Sequence, residues 1–351
     1  MSDGLTLPTT IDDVTAQWLS AATGLDITSS KAEQIGAGIG VSSALYRVTL
    51  EGEGCPPSIV VKLPALDEAA VFTSTILRMY IREVTFFTKL AVDAPVRVPH
   101  AYFAGVDQET SQFVVVMEDM GSMRIVDQTV GMLLEDAERA VDTLARWHAK
   151  WWRQGDALAA AGDTVSLGDP IYPAILPLVF EEGWQKVTGA MDLAPAIERV
   201  GPKWTAAMPQ LLADLSRGPN TMLHGDYRGD NILFDGDDSV ALLDFQLIGS
   251  GVGAYDLAYM ITQTLEPHVA AASERALFDR WVDGLRSAGV AADDLADAWE
   301  DYRKAALFCL VYPIVASRGM DFDDPRQRLL IDKMNERFSR AVDDLDLASL
   351  L

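Results

Sequence analysis

Between Met222 and Gln246 the chain reads MLHGDYRGDNILFDGDDSVALLDFQ, packing one His, six Asp and one Asn between two apolar runs. Carboxylates repel one another, so a stretch this acidic beside strand-like segments limits what it can fold into. ILF and VALLD have the character of short strands, and the DGDD between them holds an Asp-Gly turn of the kind tight hairpins favour. Such a hairpin links two polar clusters, with Asp226 and Asn231 ahead of it and Asp244 behind it. Two carboxylates and an amide oxygen are hard donors suited to Mg²⁺, which usually completes its shell with water and substrate phosphates. Asp235, Asp237 and Asp238 lie in the turn, and their spacing fails the calcium-loop pattern, so they are expected to be solvated.

Further upstream, IGAGIGVSSALYRV sets Gly36, Gly38 and Gly40 directly ahead of a strand. Glycine there lets backbone N–H groups come close to a phosphate. Lys62 sits inside the apolar strand SIVVKLP, where a lysine has to reach water or find an anion. Glu83, a single acid among apolar neighbours in the helical YIREVTFF, is a candidate partner for it. The order is Gly loop, strand Lys, helix Glu, an apolar strand ending in MED, His-x-Asp with an Asn five residues on, then Asp-Phe. That order matches the arrangement of parts in protein kinases.

The rest of the chain is consistent with a two-part enzyme. At 351 residues it exceeds a usual single core. The first third carries strand-like ALYRVTLEG, SIVVKLP, HAYFAGV and QFVVVMEDM, with a helical pattern over STILRMYIREVTFFTKLA. From Leu133 the pattern turns helical, including stretches from Ser273 to Ala288, Asp293 to Val315 and Pro325 to Leu347. The expected fold class is α+β and bilobal, with a β-rich first lobe over residues 1–120 and a larger α-helical second lobe over 121–351. A net charge of −24 has the wrong sign for nucleic-acid phosphates, so nucleic acid is not an expected partner. Two cysteines far apart form no disulfide framework, no apolar run reaches membrane-spanning length, and no signal-peptide pattern opens the chain. A cytoplasmic location without a membrane span is the expectation.

HGDYRGDN, with Gly after His where protein kinases carry Arg, resembles the aminoglycoside phosphotransferase and choline kinase superfamily. GAGIGVSSALYRVTL, SIVVKLP, IREVTFF, VVVMEDM and LLDFQLIGSGVGAYDLAY look most like its ecdysteroid-kinase-like, or CHK-kinase-like, branch. The resemblance implies a kinase using ATP and Mg²⁺ on the hydroxyl of a small molecule. Asp226 would orient and deprotonate that hydroxyl, with His224 and Asp256 supporting its loop. Asn231 and Asp244 would be the metal ligands. Lys62, fixed by Glu83, would hold the phosphates under a loop from Gly36 to Ser43 that includes Ser42, while adenine would meet the backbone around Glu118 and Met120. Arg228 departs from the His, Trp or Lys found two residues after the aspartate in related kinases, yet it can still neutralise γ-phosphate charge. A catalytically silent nucleotide-binding scaffold and an antibiotic phosphotransferase are the alternatives. The aromatic second lobe favours a lipophilic alcohol as acceptor.

Overall fold

The computed structural model describes residues 5–36, 42–236 and 239–351. The chain divides into two compact units: Met1–Met123 with Asp244–Gln246, and Arg124–Leu243 with Leu247–Leu351.

In the first unit, α1 (Ala16–Thr23) is capped by the Thr15 hydroxyl, which accepts from the Trp18 amide, and closed by Gly24 in the left-handed region. Three strands follow, β1 (Ser29–Ile35), β2 (Ser43–Glu51) and β3 (Ser58–Pro64). Helices α2 (Glu68–Ile76) and α3 (Met79–Thr85) lead to β4 (Ala101–Val106) and β5 (Phe113–Glu118). They form an antiparallel sheet in the order β1-β2-β3-β5-β4. On one face Ile59, Val61, Leu63, Val114 and Val116 pack with Leu19 of α1. On the other, Phe113 and Val115 pack with Tyr80 and Val84 of α3. Burial on both faces is why these strands read as continuous apolar runs.

The helical stretch expected after β3 is not continuous. Arg78 takes a left-handed φ of 56° between α2 and α3, and α3 runs on into a π-helical turn, Phe86–Leu90. From that turn Phe86 stacks on Phe245 at 3.6 Å, and Phe87 meets the same ring edge-on at 5.7 Å.

The second unit opens with β6 (Arg124–Ile125), α4 (Leu134–Lys150), α5 (Gly155–Ala160) and β7 (Val165–Ser166). Next come α6 (Ile171–Ala190), α7 (Pro195–Leu215), β8 (Thr221–Leu223), and the expected hairpin of β9 (Ile232–Asp235) with β10 (Ser239–Leu242). Asp237 and Asp238 in its turn lie outside the described residues. After β11 (Gly249–Gly251), helix α8 (Ala254–Thr264) is buried at every residue, and α9 (Pro267–Ser287) packs against α4. The single helix expected from Asp293 to Val315 is instead α10 (Ala298–Phe308) and α11 (Val311–Ser317), followed by α12 (Pro325–Asp344). Pro313 explains the break: it has no N–H for the Cys309 carbonyl, which accepts from Tyr312 in a tighter turn at 3.1 Å. No helix among the described residues is long and apolar enough to cross a membrane.

Candidate active site

In the first unit the lysine of the apolar strand has found its anions. Lys62 Nζ donates to Glu83 Oε1 at 2.8 Å and to Asp244 Oδ1 at 3.0 Å. Register puts Lys62 opposite Val115, so its side chain leaves β3 on the α3 face, where Glu83 waits. Lys62 and Glu83 are buried. Burial works against the Lys62 ammonium, but Asp244 and Glu83 outweigh it and raise its pKa. Burial lifts Glu83 to about 7, against the lowering pull of Lys62. Removing one partner from such a pair would leave an uncompensated buried charge, a loss of roughly 3–5 kcal/mol. Asp244 is held at a left-handed φ of 62°, which Asp tolerates better than most residues.

In the second unit the loop 224–231 joins β8 to β9. Gly225 has φ 82°, and a Cβ there would lie 2.0 Å from the Leu247 carbonyl oxygen, so only glycine fits between His224 and Asp226. Asp256 of α8 clamps the turn: Oδ2 accepts from the His224 amide at 2.7 Å and Oδ1 from the Gly225 amide at 2.9 Å. Asp256 Oδ2 also lies 3.0 Å from His148 Nε2. Trp281 Nε1 donates to His148 Nδ1 at 3.1 Å, so Nε2 carries the ring proton and donates to Asp256. His224 Nε2 donates to the Leu243 carbonyl at 2.9 Å.

The Asp226 carboxylate is pinned on both oxygens. Oδ2 accepts from Asn231 Nδ2 at 2.8 Å, while Oδ1 accepts from the Tyr259 hydroxyl at 2.7 Å and lies 3.3 Å from Arg228 Nε. Asn231 Nδ2 also donates to the Asp226 carbonyl at 2.9 Å, which commits the amide nitrogen and leaves the oxygen as the atom for a cation. The Asn231 amide in the second unit and the Asp244 carboxylate in the first each carry oxygen of the hard kind that Mg²⁺ takes. Among the described residues no group of three or more His, Cys, Asp or Glu side chains is arranged to hold a metal.

A model of the phosphotransferase enzyme family matches residues 33–307. The chain belongs to the phosphotransferase enzyme family. No curated protein matches it. Among solved structures, this phosphotransferase is similar to a Ralstonia eutropha JMP134 protein classed provisionally as an aminoglycoside phosphotransferase (16% identity, 94% of this chain and 97% of that one, TM-score 0.58). It is also similar to choline kinase from Cryptosporidium parvum Iowa II (12%, 90% and 88%, 0.54). A third is the GDP complex of aminoglycoside 2′-phosphotransferase-IIIa (14%, 91% and 93%, 0.53). At these identities the likeness is one of fold, the bilobal α+β fold of the protein-kinase-like phosphotransferases.

The remaining candidate residues of the phosphotransferase fall as follows. Gly38 and Gly40 lie outside the described residues; Gly36, at φ 65°, ends the described segment before them. Ser42 and Ser43 hydrogen-bond the Gln246 carboxamide. The Glu118 carboxylate pairs with Arg97 at 2.6 Å, its amide donates to the His100 carbonyl, and the Met120 side chain is buried. Between them Asp119 is held by Arg47 at 2.6 Å and Ser58 at 2.7 Å. Arg228 bridges Asp226 and Asp230, each at 3.3 Å. Tyr259 is a contact that sequence reading does not single out. Its one signal is position, three residues after Asp256 on the same helix face.

Proposed function

We propose that this phosphotransferase moves the γ-phosphate of ATP to the hydroxyl of a small lipophilic alcohol. The observation that carries the reading is the Asp226 carboxylate, fixed by Asn231 and Tyr259 in a loop that Asp256 clamps through two backbone amides. A carboxylate so fixed can orient an alcohol and take its proton as the oxygen attacks phosphorus. Lys62, held by Glu83, binds the nucleotide phosphates, and the backbone around Glu118 and Met120 takes the base. Asn231 and Asp244 would hold Mg²⁺, which would neutralise charge on the transferring phosphates. Arg228 adds a cation for the γ-phosphate.

What surrounds Asp226 supports this acceptor class. Tyr259, which contacts it, stacks on Tyr312 at 3.7 Å and 5°, and the Tyr312 hydroxyl meets that of Tyr255. Trp147, Trp151 and Trp204 are buried in the core, as are Tyr255 and Tyr259, so of these rings the half-buried Tyr312 is the one with face to offer an acceptor. Arg228, between Asp226 and Asp230, offsets part of their negative charge and so weakens their pull on a polycationic acceptor. An apolar body would gain about 25 cal/mol for each Å² removed from water. The motifs quoted above support assignment to the ecdysteroid-kinase-like branch.

ADP release with Mg·ATP and a panel of sterol-like and long-chain alcohols, kanamycin and choline tests this. Lipophilic alcohols should show the higher kcat/KM, and Asp226→Asn should lower kcat by about 10²–10⁴-fold. Kanamycin or choline preferred by tenfold, about 1.4 kcal/mol of transition-state stabilisation, would overturn the acceptor class. ATP binding without turnover on any compound would instead support a silent nucleotide-binding scaffold.

A further inference from the structure

Three consecutive side chains each grip a different part of the first unit. Asp244 meets Lys62 on β3, Phe245 stacks on Phe86 after α3, and Gln246 reaches Ser42 and Ser43 where β2 begins. The Gln246 residue is only 1% exposed. Its carboxamide is divided between two neighbouring hydroxyls: Ser42 Oγ donates to Oε1 at 2.6 Å, and Nε2 donates to Ser43 Oγ at 2.6 Å. The Tyr80 hydroxyl donates to the Ser42 carbonyl at 3.0 Å, so Ser42 is held through both side chain and backbone.

Counting hydrogens decides what each serine has left. Ser42 has given its one hydroxyl proton to Gln246. Ser43 accepts from Gln246, so its own proton points elsewhere and is available to a further acceptor. Both serines are only partly buried. A hydroxyl bond to an ionised acceptor is about twice as strong as one to a neutral group, so a phosphate oxygen is the acceptor this donor suits.

We infer that Gln246 is a positioning residue for nucleotide phosphates: it locks Ser42 and turns the Ser43 hydroxyl proton toward a phosphate oxygen. The inference rests on the nucleotide-binding reading of the first unit. It also accounts for the residue type. A glutamate at 246 could not donate to Ser43 and would set a like charge near the phosphates; a glycine would leave both hydroxyls unheld. Through Phe245 and Asp244 the same three residues tie the start of β2 to the lysine on β3.

Calorimetric titration with Mg·ATP and, separately, with adenosine tests it on wild type, Gln246→Ala, Ser43→Ala and the double variant, each with a melting curve. The expected result is wild-type ATP binding, weakened about tenfold in either single variant, or about 1.4 kcal/mol. Adenosine affinity should stay within about twofold, and the double variant should be little worse than the single ones because both act on one contact. Equal losses for adenosine and ATP, or unchanged ATP affinity in both single variants, would overturn the positioning role. Wild type that binds neither ligand would sink the nucleotide-binding reading itself, and this role with it.

Discussion

A lysine in the middle of a buried strand has to be matched by a carboxylate, and Lys62 is matched by two. The consequence for pH falls on Glu83. With a pKa near 7 in the fold against 4.5 as the ordinary value, the folded chain binds a proton there that the unfolded chain has released. The associated stability is therefore full below about pH 4.5 and is lost as pH rises toward 7, a change of the order of 3 kcal/mol. Urea unfolding of wild type minus that of Glu83→Gln, followed from pH 4.5 to 7.5, should fall in that direction; a flat or rising difference would contradict it. Lys62 was legible in the sequence because a lone charge in an apolar run announces a need, and Glu83 because it is the one acid of YIREVTFF. Gln246 and Tyr259 were not, since a polar residue with a partner 203 or 33 positions away leaves no local pattern.

At the scale of elements, α8 and the loop 224–229 run alongside each other. Asp256 takes the amides of His224 and Gly225, Tyr259 takes Asp226, and the Thr264 hydroxyl accepts from the Gly229 amide at 3.1 Å. Positions 256, 259 and 264 share one face of a 3.6-residue helix, so one element sets the loop at three levels. Asp256→Ala would leave the His148, His224 and Gly225 donors unpaired and buried, and should destabilise by more than about 3 kcal/mol; Thr264→Val, losing one neutral acceptor, should cost about 1–2. Denaturant unfolding in which the Asp256 variant proves the milder of the two would refute this account of the helix. The resemblance gave Asp256 of AYDLAY a supporting role, but nothing in the sequence showed that its helix would be buried on every side. Strand β1 was equally hidden: SSKAEQI is mostly exposed and carries no alternation, and it is a strand because β2 pairs with it residue by residue. Tertiary pairing overrode local propensity there, as Pro313 overrode helical periodicity at the end of α10.

Over the whole molecule the excess of acid is 24 charges, with Asp and Glu outnumbering Lys and Arg by 52 to 28. Self-repulsion of that size opposes the compact state and is screened by salt. The melting temperature should therefore rise between about 0.02 M and about 0.3 M NaCl, as the Debye length shrinks from about 20 Å to under 10 Å. A melting temperature that drops over this range would mean that the surface ion pairs, such as Arg280 with Asp142, outweigh the repulsion.

Asp244, Phe245 and Gln246 belong to the first unit, although the residues on either side of them belong to the second. No single cut of the polypeptide therefore separates the two units. A fragment ending at Met123 would keep Lys62 and Glu83 but lose the second carboxylate, the ring that covers Phe86 and the amide that holds Ser42 and Ser43. Any exchange of the first unit between relatives has to carry this tripeptide with it, spliced into the gene some 120 codons downstream of the rest.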